Sequence, residues 1–334
     1  MGRLPLVLLA VAALLAGCGG SDSSAKDPVA QVPAAGGVRA KVRAAQSVTA
    51  ADFPAPAGRT LQEVADAAGT KGPQLGLASS VFTTGLNRLA FGVIDSHSGF
   101  VYGKTAIYVA PSPDQPAQGP YPAPADVLLT QGRYRSKQAA TEQDPFAAIY
   151  AAPVPFKNPG RYSVLALTET GGKRLASPGQ IEVVAARDDR IPGVGDRPPP
   201  VETDTLASAH GDIASIDTRV PPSDMHARSF ADVLGKRPVA LLFATPQLCQ
   251  SRVCGPVVDV ALQMKAKYGD RIEFIHQEVY KDNNPSKGLR EPLQRFNLPT
   301  EPWLFVVGRD GRITARLEGS IGLTAFERAL KTAL

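Results

Sequence analysis

Residues Val239–Val258 constrain this chain more than any other stretch. VALLFATPQLCQSRVCGPVV reads as an apolar strand, a short loop carrying Cys249 and Cys254, and Gly255-Pro256 opening a helix. An apolar run without alternation suits the buried centre of a sheet. Proline is at home in the first helical turn, where its missing N–H would have had no partner. The residues that follow extend the α/β pattern. Pro256–Tyr268 turns Val257, Val260, Ala261 and Met264 to one side, with Gly269 as its stop. Arg271–Val279 alternates as a strand, Ser286–Phe296 reads as a helix, and Trp303–Val307 is a second apolar strand. A turn at Gly308–Gly311 leads to Arg312–Glu318, and Thr324-Ala325-Phe326-Glu327 reads as a capping box opening a last helix. The expected order over 233–334 is β-α-β-α-β-β-α.

Upstream the pattern differs. From Gln74 onward, short β-like runs lie between Pro, Gly and Asn turns: Leu75–Phe82, Arg88–Asp95, Thr105–Ala110, Phe146–Ala152, Tyr162–Thr168 and Gln180–Val184. Six or so strands without a long helix predict an all-β sandwich over 59–185. Phe156–Tyr162, read as F-x-x-P-G-x-Y, and the run NRLAFGVID resemble extracytoplasmic Ig-like lipoprotein domains. Pro111–Pro124 reads as a surface loop, His97 as a solvated turn residue, and the tyrosines at 102, 108, 121, 134, 150 and 162 as core and rim. Such a domain shows no catalytic constellation; its expected part is to position the molecule or recruit a partner. The ARDDRIPGVGDRPPPV stretch marks a Pro-rich linker, and with the irregular arm after it spans 186–232. Met225-His226 in that arm reads as an ordinary loop pair. The net charge of +5 carries no Lys/Arg block, which excludes nucleic acid as a partner.

Residues 1–17 read as a targeting segment: Arg3, then an apolar run too short to span a bilayer, then Leu15-Ala16-Gly17-Cys18. That ending resembles the lipobox of bacterial lipoproteins. The resemblance implies that Cys18 carries lipid (palmitate among its acyl chains) after cleavage. It also implies anchoring at the extracytoplasmic face of the cell membrane. Residues 18–58, small and polar without a sustained period, are expected to be a flexible tether, and Thr60–Ala68 a short helix. With Cys18 committed to lipid, Cys249 and Cys254 remain, and outside the cytoplasm such a pair can persist as a disulfide.

The element order and the cysteine-bearing loop resemble the thioredoxin fold, in particular the secreted TlpA-like thiol–disulfide oxidoreductases, over Lys236–Leu334. Phe243-Ala244-Thr245 precedes the cysteines, Cys254-Gly255-Pro256 is similar to the family's Cys-Gly-Pro, and FNLPTEPWLFVVGRDG at 296–311 is similar to its cis-proline stretch. The resemblance implies a redox pair at Cys249 and Cys254 facing a cis-proline at Pro302, protein thiols or disulfides as substrates, and no cofactor. It also implies that the lone Trp303 senses the pair. The sequence departs from the family in having four residues between the cysteines instead of two, Leu248 where a tryptophan is usual, and Leu241 or Leu242 at a buried acidic position. Which thiol attacks stays open. Proximity to the helix start and to Arg252 favours Cys254, whereas alignment from the strand favours Cys249. Two other readings stand beside it: a binding or scaffold lipoprotein with a structural disulfide, and a Sco-like copper protein drawing on Cys249, Cys254 and His276. A peroxiredoxin is excluded by the absence of its Pro-x-x-x-Thr-x-x-Cys motif.

Overall fold

Strand after strand of this chain is buried on both faces, and the computed structural model shows what does the covering. It describes residues 27–69, 72–139, 147–249 and 252–334. The N-terminal elements are α1 (Val38–Gln46) and α2 (Leu61–Asp66). Nine strands follow: β1 (Gln74–Leu77), β2 (Phe82–Thr83), β3 (Gly85–Ile94), β4 (Lys104–Ala110), β5 (Gln118–Pro122), β6 (Ala125–Val127), β7 (Ala148–Phe156), β8 (Gly160–Thr170) and β9 (Lys173–Val184). They form two sheets, ordered β1-β3-β7-β6 and β2-β9-β8-β4-β5. Alternation along the strands sends Leu89, Phe91, Tyr150, Val154, Ile107, Val109 and Val164 into one shared core between them. The intervening residues of the second sheet, Ala106, Tyr108, Leu165 and Leu167, turn outward and are covered by Phe53, Leu61 and Val64.

That covering corrects the expectation for 18–58. Within the described part, Val29, Val32, Val42 and Ala45 are buried in the main core. Lys104 is tied to Asp52, and the Tyr108 hydroxyl donates to the Pro54 carbonyl at 2.7 Å. Thr60 and Glu63 form a reciprocal cap on α2. Pro111–Pro124 is likewise more than a surface loop, because β5 lies inside it and pairs with β4. Tyr102, Tyr108 and Tyr150 are core residues with bonded hydroxyls. His97 is exposed in its turn, and the Tyr162 hydroxyl reaches back to the Asn158 carbonyl at 3.1 Å.

The remaining elements are α3 (Phe230–Val233), β10 (Val239–Phe243), α4 (Cys254–Tyr268), β11 (Glu273–Gln277), α5 (Glu291–Arg295), β12 (Trp303–Val307), β13 (Ile313–Glu318) and α6 (Leu323–Lys331). The sheet order is β11-β10-β12-β13, with β10 parallel to β11 and antiparallel to β12. The elements follow the expected order β-α-β-α-β-β-α. Ala240, Leu242, Phe274, Leu304 and Val306 point to the side of α4 and α6. Leu241, Phe243, Ile275, Trp303 and Phe305 point to the other, where Phe230, Leu293 and Phe296 lie. The 286–296 region is only partly helical: a short turn at Pro285–Lys287 precedes α5, with Gly288 (φ 77°) breaking the helix between them.

The stretch expected to be a linker is docked. Ile191 and Val201 sit in the second core, and residues 195–196 exchange backbone hydrogen bonds with Ile313 at 2.8 and 2.9 Å. Arg316 holds the Ile191 carbonyl and the Asp189 carboxylate. The expected capping box at Thr324 and Glu327 does not form. α6 begins one residue earlier, and Asp126 of β6 caps it instead, accepting the Thr324 and Ala325 amides at 2.9 and 3.0 Å. Glu327 turns away to Lys267 and Tyr268. No helix among the described residues is long and apolar enough to cross a membrane.

Candidate active site

The loop after β10 folds back on Thr245, whose carbonyl accepts the amides of Leu248 and Cys249 at 3.3 and 3.1 Å. Gln250 and Ser251 lie outside the described residues. Arg252 returns with φ 60°, its amide donating to the Cys249 carbonyl, and Cys254 is the first residue of α4. The Sγ atoms of Cys249 and Cys254 and a carboxylate oxygen of Glu301 all lie within 4.8 Å of one another. Glu301 precedes Pro302, and the peptide bond between them is cis. Cys249 and Cys254 thus lie together beside Glu301, the residue before Pro302, with no disulfide between them. Cys18 lies outside the described residues.

Burial separates the two thiols. Cys249 keeps 8% of its surface exposed and Cys254 none. Burial pushes the Cys254 thiol well up, and the neighbouring Cys249 pushes it further, against a smaller pull from a hydrogen bond with the Thr245 backbone. At Cys254 loss of water thus works against the lowering that the sequence argument drew from the helix start. Arg252, invoked in the same argument, is exposed.

Sequence reasoning missed three groups here. Glu301 is raised to about 7, first by burial and then by the proximity of Cys249 and Glu278. Glu278, fully buried at the end of β11, accepts the Thr218 amide and hydroxyl at 2.8 and 2.6 Å. Tyr280 is raised by burial and by the same Glu301 and cysteines. The signal for Glu301 was its place beside Pro302. Glu278 could not be found from spacing, because its partner Thr218 lies 60 residues away.

Glu301, though not the cysteines, opens onto a cleft between the sheets. The cleft, of ≈ 380 Å³, is lined by Val253, Thr300 and Glu301 on one wall and by Leu77, Phe82 and Ile181 on the other. Trp303 does not face it. Its ring stacks on Phe305 in the second core, beneath Arg316, with its indole N–H on Thr300, so it lies across the sheet from the thiols. A copper site from Cys249, Cys254 and His276 is not assembled either: His276 bonds the Ala244 carbonyl and faces Asp217 and His226. His226 is no ordinary loop residue, being buried with Met225 beside it.

No family model matches this chain, and no curated protein matches it. Among solved structures, one from Chlorobium tepidum named as a thiol:disulfide interchange protein, DsbE, aligns at 16% identity and TM-score 0.30. It covers 42% of this chain and 98% of its own. A second, a thioredoxin family protein from Chlorobium tepidum TLS also named as a thiol:disulfide interchange protein, aligns at 15% identity and TM-score 0.28. It covers 44% of this chain and 98% of its own.

Proposed function

We propose that the chain is a membrane-anchored, extracytoplasmic thiol–disulfide oxidoreductase, with Cys249 as the attacking thiol and Cys254 as the resolving one. The observation that carries this reading is the convergence of two thiols on a carboxyl raised to about 7, which precedes a cis-proline and opens onto a cleft. In the reducing direction, the Cys249 thiolate attacks one sulfur of a substrate disulfide. That S–S bond breaks, a mixed disulfide forms, and the leaving thiolate takes a proton. Cys254 then loses its proton and attacks the Cys249 sulfur. The substrate leaves as its second thiol, two electrons have passed to it, and the protein holds a Cys249–Cys254 disulfide. Since the Cys254 thiol is pushed up, this second step needs a base, and Glu301 lies within reach to act as one. The oxidising direction is the reverse. The two-sheet unit, which we read as Ig-like on its Tyr162 corner, supplies the second wall of the cleft and so shapes what can approach. Cys18 would hold the chain at the membrane.

A structural disulfide is the second reading, favoured by the burial of both cysteines. One experiment separates the two. Membrane fractions carrying the full chain are equilibrated in glutathione redox buffers, and the thiols are trapped with a mass-tagged maleimide; Trp303 is unsuitable as a reporter. A midpoint between roughly −120 and −270 mV supports the redox enzyme, whereas a pair still oxidised below about −300 mV sinks it. Cys254→Ser should accumulate mixed disulfides through Cys249, and Cys249→Ser should not. Cys18→Ser should move the chain to the soluble fraction; retention in the membrane would overturn the anchor.

A further inference from the structure

The arm at 203–232 delivers two residues to the back of β11, where His276 waits. Asp217, His226 and His276 are all buried, and their ligand-capable atoms lie within 4.8 Å of one another. Asp217 Oδ2 is 3.1 Å from His226 Nε2 and 3.6 Å from His276 Nδ1. The carboxylate is held in orientation by the Arg219 amide on Oδ1 at 2.9 Å and the Ser223 amide on Oδ2 at 2.7 Å.

The opposite nitrogens of both rings rest on backbone carbonyls. His276 Nε2 lies 3.0 Å from the Ala244 carbonyl, and His226 Nδ1 lies 3.4 Å from the Asp204 carbonyl. A carbonyl oxygen only accepts, so His276 Nε2 carries a ring hydrogen; His226 has acceptors at both nitrogens, the nearer being Asp217 Oδ2. The remaining nitrogens, Nδ1 of His276 and Nε2 of His226, face the same carboxylate oxygen, which holds their protons in the metal-free protein and would share a cation with them once those protons leave. Three ligand-capable atoms converge in a buried place, and His276 Nδ1, 3.6 Å from the carboxylate, has no hydrogen bond of ordinary length. A ring N–H tied to a backbone carbonyl, with the other nitrogen aimed at a shared point, is how metal-ligating histidines are held. Tetrahedral zinc bonds of 2.0–2.2 Å put donor atoms about 3.3 Å apart, and the two distances here bracket that value. Ser223 Oγ, on the residue whose amide grips Asp217, is another buried polar atom without a partner.

We propose that Asp217, His226 and His276 form a binding site for a divalent transition cation of the zinc class, which staples the arm to β11. Two imidazoles and a carboxylate suit such ions, and the absence of thiolate from the set disfavours Cu(I). The staple adjoins the thiol site: Thr218, next to Asp217, holds Glu278 and accepts the Gln247 amide at 3.1 Å in the loop that leads to Cys249.

The test uses the full chain in a Cys249→Ser/Cys254→Ser background, so that thiols cannot supply the ligands, after dialysis against a chelator. Zn²⁺ is titrated by calorimetry, and Co²⁺ is followed by its visible d–d absorption. One equivalent per chain, tetrahedral Co²⁺ bands without a thiolate charge-transfer band, and a Tm raised by several degrees with saturating Zn²⁺ are expected. At least a hundredfold weaker binding is expected in His226→Ala and in His276→Gln. If a variant fails to fold, X-ray absorption of the Zn²⁺-loaded background protein decides, the expected shell being nitrogen and oxygen with two imidazoles. The proposal is overturned if the chain takes up no metal at one equivalent, if the bound ion's shell lacks imidazole, or if folded His226→Ala binds as tightly as before. None of these results bears on the redox titration of the cysteines.

Discussion

Glu301 is the residue whose chemistry differs most from what its position in the chain suggests. Its carboxyl titrates near 7 instead of its ordinary 4.5, because burial, Cys249 and Glu278 all oppose the charge. A base poised there is neutral below pH 6 and ionised above pH 8 (both rough bounds). The rate of the resolving step should therefore rise with pH through an inflection near 7. Glu301→Gln should remove that inflection and slow the step by about 10²-fold at pH 7.5, as read by rapid-quench trapping of the mixed disulfide. An unchanged profile would remove Glu301 from the proton path. The same shift has a sign for stability. A carboxyl raised on folding favours the native state below pH 4.5, and that contribution is lost as pH rises through about 7. Glu301→Gln, neutral throughout, should thus gain on the parent across that window, by about 1–2 kcal/mol once solvent screening at this half-buried site is allowed for.

At the scale of elements, α6 shows how a local signal loses to a distant one. Thr324 and Glu327 have the spacing of a capping box, yet Asp126, about 200 residues earlier, takes the Thr324 and Ala325 amides. Gly322 makes this close approach feasible, since a Cβ there would sit 2.4 Å from the Asp126 carboxyl carbon. Asp126→Ala should cost about 1–2 kcal/mol, as a lost cap does, and Gly322→Ala should reproduce the loss by displacing the carboxylate. Hydrogen exchange at residues 324–326 should speed up in both; protection equal to the parent would refute the capping role. The same contrast explains what was legible in the sequence. β12 matches its expected bounds, β10 starts where expected, and β11 is two residues shorter at each end, since their apolar runs are set by burial alone. The two cysteines and Pro302 were found because strand, loop and helix signals bracket them. The packed segment at 27–58 was not. Val38, Val42 and Ala45 do have helical spacing, but their apolar stripe is short and flanked by Gly, Pro and Ala runs, and with Val29 and Val32 it acquires meaning only against β4 and β6. Asp217, His226 and His276 were illegible for a similar reason: only folding of the arm brings the first two to β11.

Across the whole molecule, the division into two independent units that the Pro-rich stretch suggests gives way to one continuous core. Val257, Val260 and Ala261 of α4 and Phe326 and Leu330 of α6 belong to the same buried cluster as Ala125, Val127 and Tyr150 of the two-sheet unit. Polar contacts reinforce the join. Asp259 of α4 accepts the Ser136 amide and hydroxyl and the Arg219 guanidinium, and Arg88 donates to the Glu318 and Ser320 carbonyls. Gly255, directly after Cys254, lies under the Gln138 carbonyl so closely that a Cβ would come within 2.4 Å of it. The two-sheet unit therefore forms part of the roof over the helix that carries the resolving thiol. Removing it would uncover a helical face built of Val, Ala and Phe, with burial of each large side chain worth about 1.5–3 kcal/mol, a loss comparable to the whole stability of a domain of that size. The full chain should accordingly unfold in a single calorimetric transition with agreement between calorimetric and van't Hoff enthalpies. A fragment spanning 233–334 should lack near-ultraviolet circular dichroism and bind a hydrophobic dye. Two separate transitions, or a fragment with native-like near-ultraviolet signal, would show instead that the thiol site is built by the last hundred residues alone and that the neighbouring sheets only guide what reaches it.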